Sequence, residues 1–270
     1  MKLAVSTICC ADWKFEDIYA SAKDLGYKGI EIRKLDGVFY APRMRPFLPA
    51  AVETTMNKLA AAGMEIPLLA GSAVVGKPGL AAEALSEISE YAELAAKIGA
   101  QYIRVLAGSR PDDNDCDIDS ARSTLKEMCL IAEKKEVNLL VETNSIFSDT
   151  QLLKEILDEI ASPRLGALWD INYPYRFFGE TPRQTTEILK DYICFVHLKD
   201  SLEKEDRIEY KLMGHGDLPV FEALTALKQI GFSGYLSFEW VPKWSSELVE
   251  PGIVMAQYAS FMQREIKKLR

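Results

Sequence analysis

Short apolar segments rich in β-branched residues recur eight times along this chain, and each is followed by a stretch with the periodicity of a helix. The segments fall at residues 2–8, 28–33, 64–69, 101–106, 137–142, 165–170, 192–199 and 235–239. Several are nearly continuous in apolar side chains, as in Val137-Asn138-Leu139-Leu140-Val141, the composition of a strand buried on both faces. The intervening stretches lie at 15–25, 48–62, 81–98, 119–133, 150–160, 182–189, 220–230 and 252–269. Their apolar residues stand three and four apart, most clearly as Leu85, Ile88, Tyr91, Ala92, Ala95 and Ile98. Gly26, Gly63, Gly99 and Gly231 follow helices, where a left-handed residue closes the last turn. Asp217 is expected to cap the seventh helix and Pro219 to sit in its first turn.

Alternation of strand and helix implies parallel strands joined by crossover helices. A count of eight, with no long linker or low-complexity stretch, predicts an α/β fold of the closed kind, a (β/α)8 TIM barrel, as a single domain over residues 1–270. An open doubly wound sheet is the alternative. It is weakened because no G-x-G-x-x-G follows the first strand.

Composition removes several classes of function. No apolar run approaches the ~18 residues that cross a bilayer, and the first residues do not read as a signal peptide, so a cytoplasmic protein without a membrane partner is expected. A net charge of −8 and a pI near 5.1 make nucleic acid a poor partner. The cysteines Cys9, Cys10, Cys116, Cys129 and Cys194 contain no CxxC, so neither a disulfide framework nor a zinc ribbon is expected. The adjacent Cys9 and Cys10 read as small side chains packed at a strand end rather than as a redox pair.

In a barrel of this kind the active site lies at the C-terminal ends of the strands. Strand five ends in Glu142, strand six in Asp170, strand seven reaches His197, and strand eight ends in Glu239. A lone carboxylate at a strand end is usually a helix cap or an ion-pair partner. Three facing one another would repel unless protonated or bridged by a cation. One divalent metal ion resolves that conflict. The mixed oxygen and nitrogen set suits Mn2+ first, with Mg2+ or Co2+ as alternatives, better than a structural zinc site.

The runs Val141-Glu142-Thr143-Asn144, Leu168-Trp169-Asp170, Val196-His197-Leu198-Lys199-Asp200, Gly214-His215-Gly216-Asp217-Leu218-Pro219 and Ser237-Phe238-Glu239-Trp240 resemble the xylose-isomerase-like barrels, often called sugar phosphate isomerase/epimerase, over essentially the whole chain. The resemblance implies that Glu142, Asp170, His197 and Glu239 hold the metal, and that Glu142 and Glu239 exchange protons with substrate. The implied activity is isomerisation or epimerisation of a small sugar or keto-sugar through an enediolate. A lyase or dehydratase acting on an inosose, a cyclic keto acid or a 3-keto-glycoside is the alternative on the same site. A non-catalytic sugar-binding protein is a third reading, disfavoured by the intact ligand set. The expected partner is the small-molecule substrate, with homo-oligomerisation left open.

Many relatives carry a histidine shortly after the strand-six aspartate. This chain has Asn172 and Tyr173 there, which can hydrogen-bond a sugar but do not titrate near neutrality as histidine does. His197 and His215 are its two histidines, too few for the multi-zinc sites of the DNA-repair endonucleases in the same superfamily. Lys199 shares a face with His197 and is a substrate-contact candidate, with a structural ion pair as the rival reading. Glu31, Arg33 and Arg104 are inward or rim candidates, with buried ion pairs within the barrel an equal reading. Among Trp13, Tyr173, Phe177, Phe178, Trp240 and Trp244, the tryptophans Trp13 and Trp240 are expected as pocket walls. Gly214-His215-Gly216 reads as a tight turn with His215 exposed, in preference to a phosphate cradle. The Asp-rich loop at 108–117 is either part of a lid or a solvated turn.

Overall fold

The computed structural model describes residues 1–108, 115–205, 207–241 and 250–269. Its strands are β1 (Lys2–Ser6), β2 (Gly29–Glu31), β3 (Leu68–Leu69), β4 (Tyr102–Val105), β5 (Asn138–Glu142), β6 (Leu165–Asp170), β7 (Ile193–Leu198), β8 (Asp200–Lys204), β9 (Arg207–Lys211) and β10 (Tyr235–Phe238). Eight of them form one parallel sheet in the order β2-β1-β10-β7-β6-β5-β4-β3. Its two edges meet through the bridges Gly29–Glu65 and Ile32–Leu69, which close the ring into a TIM barrel.

The helices are α1 (Phe15–Asp24), α2 (Val52–Ala61), α3 (Ala81–Ile98), α4 (Ile118–Lys135), α5 (Thr150–Ile160), α6 (Asn172–Phe178), α7 (Pro182–Leu189), α8 (Val220–Gln229) and α9 (Pro251–Lys268). The expected spans 81–98, 150–160 and 182–189 coincide with α3, α5 and α7. Thr181 and Gln184 form a capping box that starts α7. Gly26, Gly63, Gly99 and Gly231 all have positive φ at the helix ends. No helix among the described residues is long and apolar enough to cross a membrane.

Four features depart from the sequence reading. β3 is shorter than 64–69 because Pro67 has no N–H to give the ladder, although its carbonyl still accepts from Tyr102 at 3.0 Å. The antiparallel hairpin β8–β9 and the short helix α6 occupy segments expected to be loops. Asp217 does not cap α8. Its carboxylate accepts from Arg176, and Pro219 itself is the N-cap, one residue before the helix.

Two apolar layers hold the barrel. Outward residues such as Leu139, Val141, Val196 and Phe238 pack with Leu125, Met128 and Tyr258 of the helices. A separate cluster of Ala4, Leu68, Leu140, Leu168, Phe195 and Tyr235 plugs the barrel interior. Each fully buried Leu or Phe in such a layer contributes about 1.5–3 kcal/mol. Two residues further along each strand, on the same inward face, the chemistry changes. Leu140 is followed by Glu142, Leu168 by Asp170, Phe195 by His197, and Tyr235 by Ser237 and Glu239. Strand alternation thus sets a polar layer directly above an apolar plug.

Candidate metal centre

Register brings the polar layer together. Asp170 pairs across to His197, and His197 to Ser237. Glu142 and Glu239 complete a group in which one ligand atom from each of Glu142, Asp170, His197 and Glu239 lies within 4.8 Å of the others. His197 Nδ1 is 3.6 Å from Glu142 Oε1, 3.9 Å from Glu239 Oε1 and 4.0 Å from Asp170 Oδ2. Ligands about 2.0–2.3 Å from a shared cation stand about 3–4.6 Å apart, so the spacing fits a single small divalent ion.

Two observations fit a cation in this group. Among the described residues, buried His197 Nδ1 has no hydrogen-bond partner, and buried Asp170 Oδ2 is met by Lys199 through an ion pair alone. The charges also do not balance. Glu31, Glu142, Asp170 and Glu239 bring four negative charges, and Arg104 and Lys199 bring two positive ones, which leaves one negative charge with His197 protonated and two once its imidazole is neutral, as a metal ligand must be. Arg104 Nη1 lies 3.0 Å from Glu142 Oε2 and 3.8 Å from Glu239 Oε1. Lys199 Nζ lies 2.5 Å from Asp170 Oδ2 and also pairs with Glu239.

Protonation follows from these contacts. Burial pushes Asp170 up to about 6, with Lys199 opposing it and Glu239 and Glu142 adding to it. Burial would also raise Glu142 and Glu239, but the cations prevail. Arg104 and His197 hold Glu142 below the usual range, and Lys199, His197 and Arg104 do the same for Glu239. Both are therefore carboxylates near neutral pH. Burial opposes a charged His197, yet Glu31 and Glu239 outweigh it and raise the pKa well above the ordinary value. His197 Nε2 lies 3.0 Å from Glu31 Oε2, which also accepts from Ser237 Oγ at 2.6 Å. Glu31 thereby turns Nδ1 toward the other ligands.

A cavity of about 630 Å3 opens above the group. Glu142 and Glu239 line it, while Asp170 and His197 are fully buried and do not reach its wall. Trp13 and Tyr173 stand on the wall, as does Asn144, whose amide is tied to Ala107 and Gly108. Three expected substrate contacts lie elsewhere. Lys199 curls beneath Tyr173, 4.6 Å from the ring centroid, and is spent on Asp170 and Glu239. Asn172 is buried, and its Oδ1 accepts from Ser201. Trp240 follows inward-facing Glu239 and so turns outward, stacking on Phe238. Trp244 and most of the 108–117 loop lie outside the described residues.

Cys9 and Cys10 line the cavity as buried thiols. Burial raises Cys9 well above its ordinary pKa and pushes Cys10 up to about 12, so neither is a ready thiolate. Gly214-His215-Gly216 holds the chain's own anion. Asp200 Oδ2 accepts from Gly214 N at 2.8 Å and from Gly216 N at 2.9 Å, and His215 is exposed. The sequence offers Glu31 and Arg104 as inward or rim candidates or as members of buried ion pairs, and both stand in ion pairs, Arg104 with Glu142 and Glu31 with His197. Their inward phase on β2 and β4 was visible, but which atoms they meet across the barrel was not.

Eight parallel strands with a strand-end cluster that could hold a metal ion define a class of barrels. Comparison with known proteins names it: the profile of the xylose isomerase-like TIM barrel matches residues 19–258, and the chain belongs to that family. Fructoselysine 3-epimerase of Escherichia coli O157:H7 is 23% identical over 243 residues, covering 86% of this chain and 87% of the relative. The solved IolI protein with a bound zinc atom superposes with a TM-score of 0.83 at 16% identity, covering 100% of this chain and 99% of that one. The probable 3-DHS dehydratase AsbF of Bacillus anthracis gives 0.80 at 17% identity, covering 97% and 99%.

Proposed function

We propose that this protein is a divalent-metal-dependent isomerase or epimerase of a small sugar or keto-sugar. The observation that carries the reading is the division within the ligand group: Glu142 and Glu239 line the cavity, whereas Asp170 and His197 lie beneath it. Glu142, Asp170, His197 and Glu239 would hold the ion, with Mn2+ favoured by the oxygen-rich donor set and Mg2+ or Co2+ next. When bound, the ion supplies charge stabilisation that acidifies the C–H beside a substrate carbonyl. Glu142 and Glu239 start as carboxylates and can accept that proton. One removes it; the other, once it has taken a proton from water or a substrate hydroxyl, delivers that proton to the opposite face of the enediolate, which inverts the centre. Arg104 holds both carboxylates from one side, and Lys199 orients Glu239 from below. The epimerase relative supports this chemistry.

A second reading, β-elimination by a lyase or dehydratase, is favoured by one feature. Tyr173 is on the cavity wall, its hydroxyl 3.3 Å from Lys199 Nζ, and burial keeps that hydroxyl protonated. It is placed to give a proton to a departing hydroxyl.

Proton NMR of ketoses, inososes and 3-keto-glycosides in D2O with Mg2+-loaded protein tests both. Deuterium beside the carbonyl, with a new diastereomer, is the expected result. An enone or a freed alcohol would move the assignment to the lyase. No exchange in any compound, together with no Mg2+ bound, would overturn the metal-dependent reading.

A further inference from the structure

Past β2 the strand alternation continues for two more residues. Glu31 lies beneath the cavity, Ile32 turns outward into the core, and Arg33 reaches the cavity wall. Thr7 pins the backbone there, its Oγ1 accepting from the N–H of Arg33 at 2.9 Å and of Lys34 at 3.1 Å. The guanidinium is held through one nitrogen: Nη1 donates to Ser72 Oγ at 2.8 Å and to Ala70 O at 3.4 Å. Nε and Nη2 have no hydrogen-bond partner among the described residues, and no described carboxylate lies within ion-pair distance of this side chain.

Its neighbours are different. Arg104 and Lys199 each hold two of the ligand carboxylates. Lys34 has only a loose contact, 3.7 Å from the exposed Asp12. Phe39 lies 5.1 Å from both the Arg33 guanidinium and the Lys34 ammonium, so one ring gathers the two cations at the same part of the wall. Burial, with repulsion from Arg104, lowers the Arg33 pKa to about 10, which leaves it charged at neutral pH in a setting that does not yet compensate the charge.

The two unused donors lie on one edge of the guanidinium. That edge matches two oxygens of a carboxylate or a phosphate in a bidentate pair. Charge leads to the same group. With the imidazole neutral, as it is when it ligates a metal, the ligand cluster is short of two positive charges, which one divalent ion would supply, and Arg33 is then the surplus cation facing the substrate space. We propose that Arg33, with Lys34 beside it, is the anion subsite of this cavity, so that the substrate carries a carboxylate or phosphate in addition to its carbonyl. This rests on the metal-dependent reading above for the location of the carbonyl, although the anion contact itself does not need turnover.

The test is calorimetric titration of Mg2+-loaded wild type, Arg33→Met and Arg33→Lys with D-fructose, D-fructose 6-phosphate, D-glucuronate, inorganic phosphate and acetate. In the wild type at least one anionic sugar should bind tenfold or more tighter than D-fructose. Whichever of the phosphate and carboxylate arms is stronger identifies the group. Arg33→Met should erase the preference while leaving Mg2+ affinity and thermal midpoint unchanged, and Arg33→Lys should restore part of it. A preference that survives in Arg33→Met overturns the proposal, as does a wild type that binds no anion or prefers none. Mg2+ affinity of Glu239→Gln, measured alongside, separates the two ideas. If that variant keeps full affinity, the metal-dependent reading fails while a preference lost in Arg33→Met still stands.

Discussion

Two buried carboxylate sites stand close together on β7 and the hairpin that follows it, and they are built on opposite terms. Asp200 accepts from four backbone N–H groups, those of Ser201, Gly214, Gly216 and Leu218. The neighbouring group of Glu142, Asp170, His197 and Glu239 keeps the buried His197 Nδ1 without a hydrogen bond among the described residues and carries more negative charge than its cations offset. A buried polar atom left unpaired costs about 1–3 kcal/mol, so a fold retains such atoms where something else will meet them. Asp200 is complete and therefore structural. The four-residue group is a site. In the sequence the two look alike, and the glycine-rich stretch, read there as a tight turn in preference to a phosphate cradle, wraps the protein's own Asp200.

The largest expected effect falls on the incomplete group. Glu239→Gln keeps the side-chain shape and removes one charge from the cavity wall. Turnover should fall about a thousandfold, the scale of a lost general base, and metal content after dialysis should fall with it. Full activity in that variant would remove Glu239 from the chemistry and erase the contrast with Asp200.

The complete site should respond in the opposite sense. A Cβ on Gly216 would overlap Asp200 Oδ1 and the Ser201 carbonyl. Gly216→Ala must therefore push the carboxylate off its donors. Losing two hydrogen bonds to a charged group costs about 3 kcal/mol, roughly 6–12 °C in Tm for a domain near this size. One metal ion per chain should still bind. Calorimetry with metal analysis checks both, and a variant that melts normally but loses its metal would show that Asp200 serves the metal group after all.

How much of this was legible follows from side-chain length. The barrel was readable because period two and period 3.6 act on the backbone, and glycines at positive φ mark where one gives way to the other. The grouping of Glu142, Asp170, His197 and Glu239 was readable for the same reason, since each sits at the inward phase of a strand end. Alternation could also have excluded Trp240, which follows an inward residue. Lys199 and Arg33 illustrate the limit. Phase places both on the inner face, but a flexible stem decides whether the charge turns down onto Asp170 or stays on the cavity wall. The hairpin β8–β9 was missed because its strands are charged and half exposed and so lack an apolar stripe.

The smallest expected effect lies between the two sites, at Glu31. It is buried like Asp200, and Oε2 serves Ser237 and His197, yet Oε1 has no partner. It belongs to the incomplete group through His197 without being one of the ligands. Glu31→Gln preserves an acceptor for both neighbours while removing the charge that makes the imidazole a stronger donor to a cation. Metal affinity should fall about 10–100-fold, the range for partners that orient a ligand histidine, and activity at saturating metal should recover most of the loss. Affinity unchanged in Glu31→Gln would mean that the ring is oriented by packing against Phe195, whose centroid is 6.0 Å away, and that the boundary of the functional group is drawn at the four ligands alone.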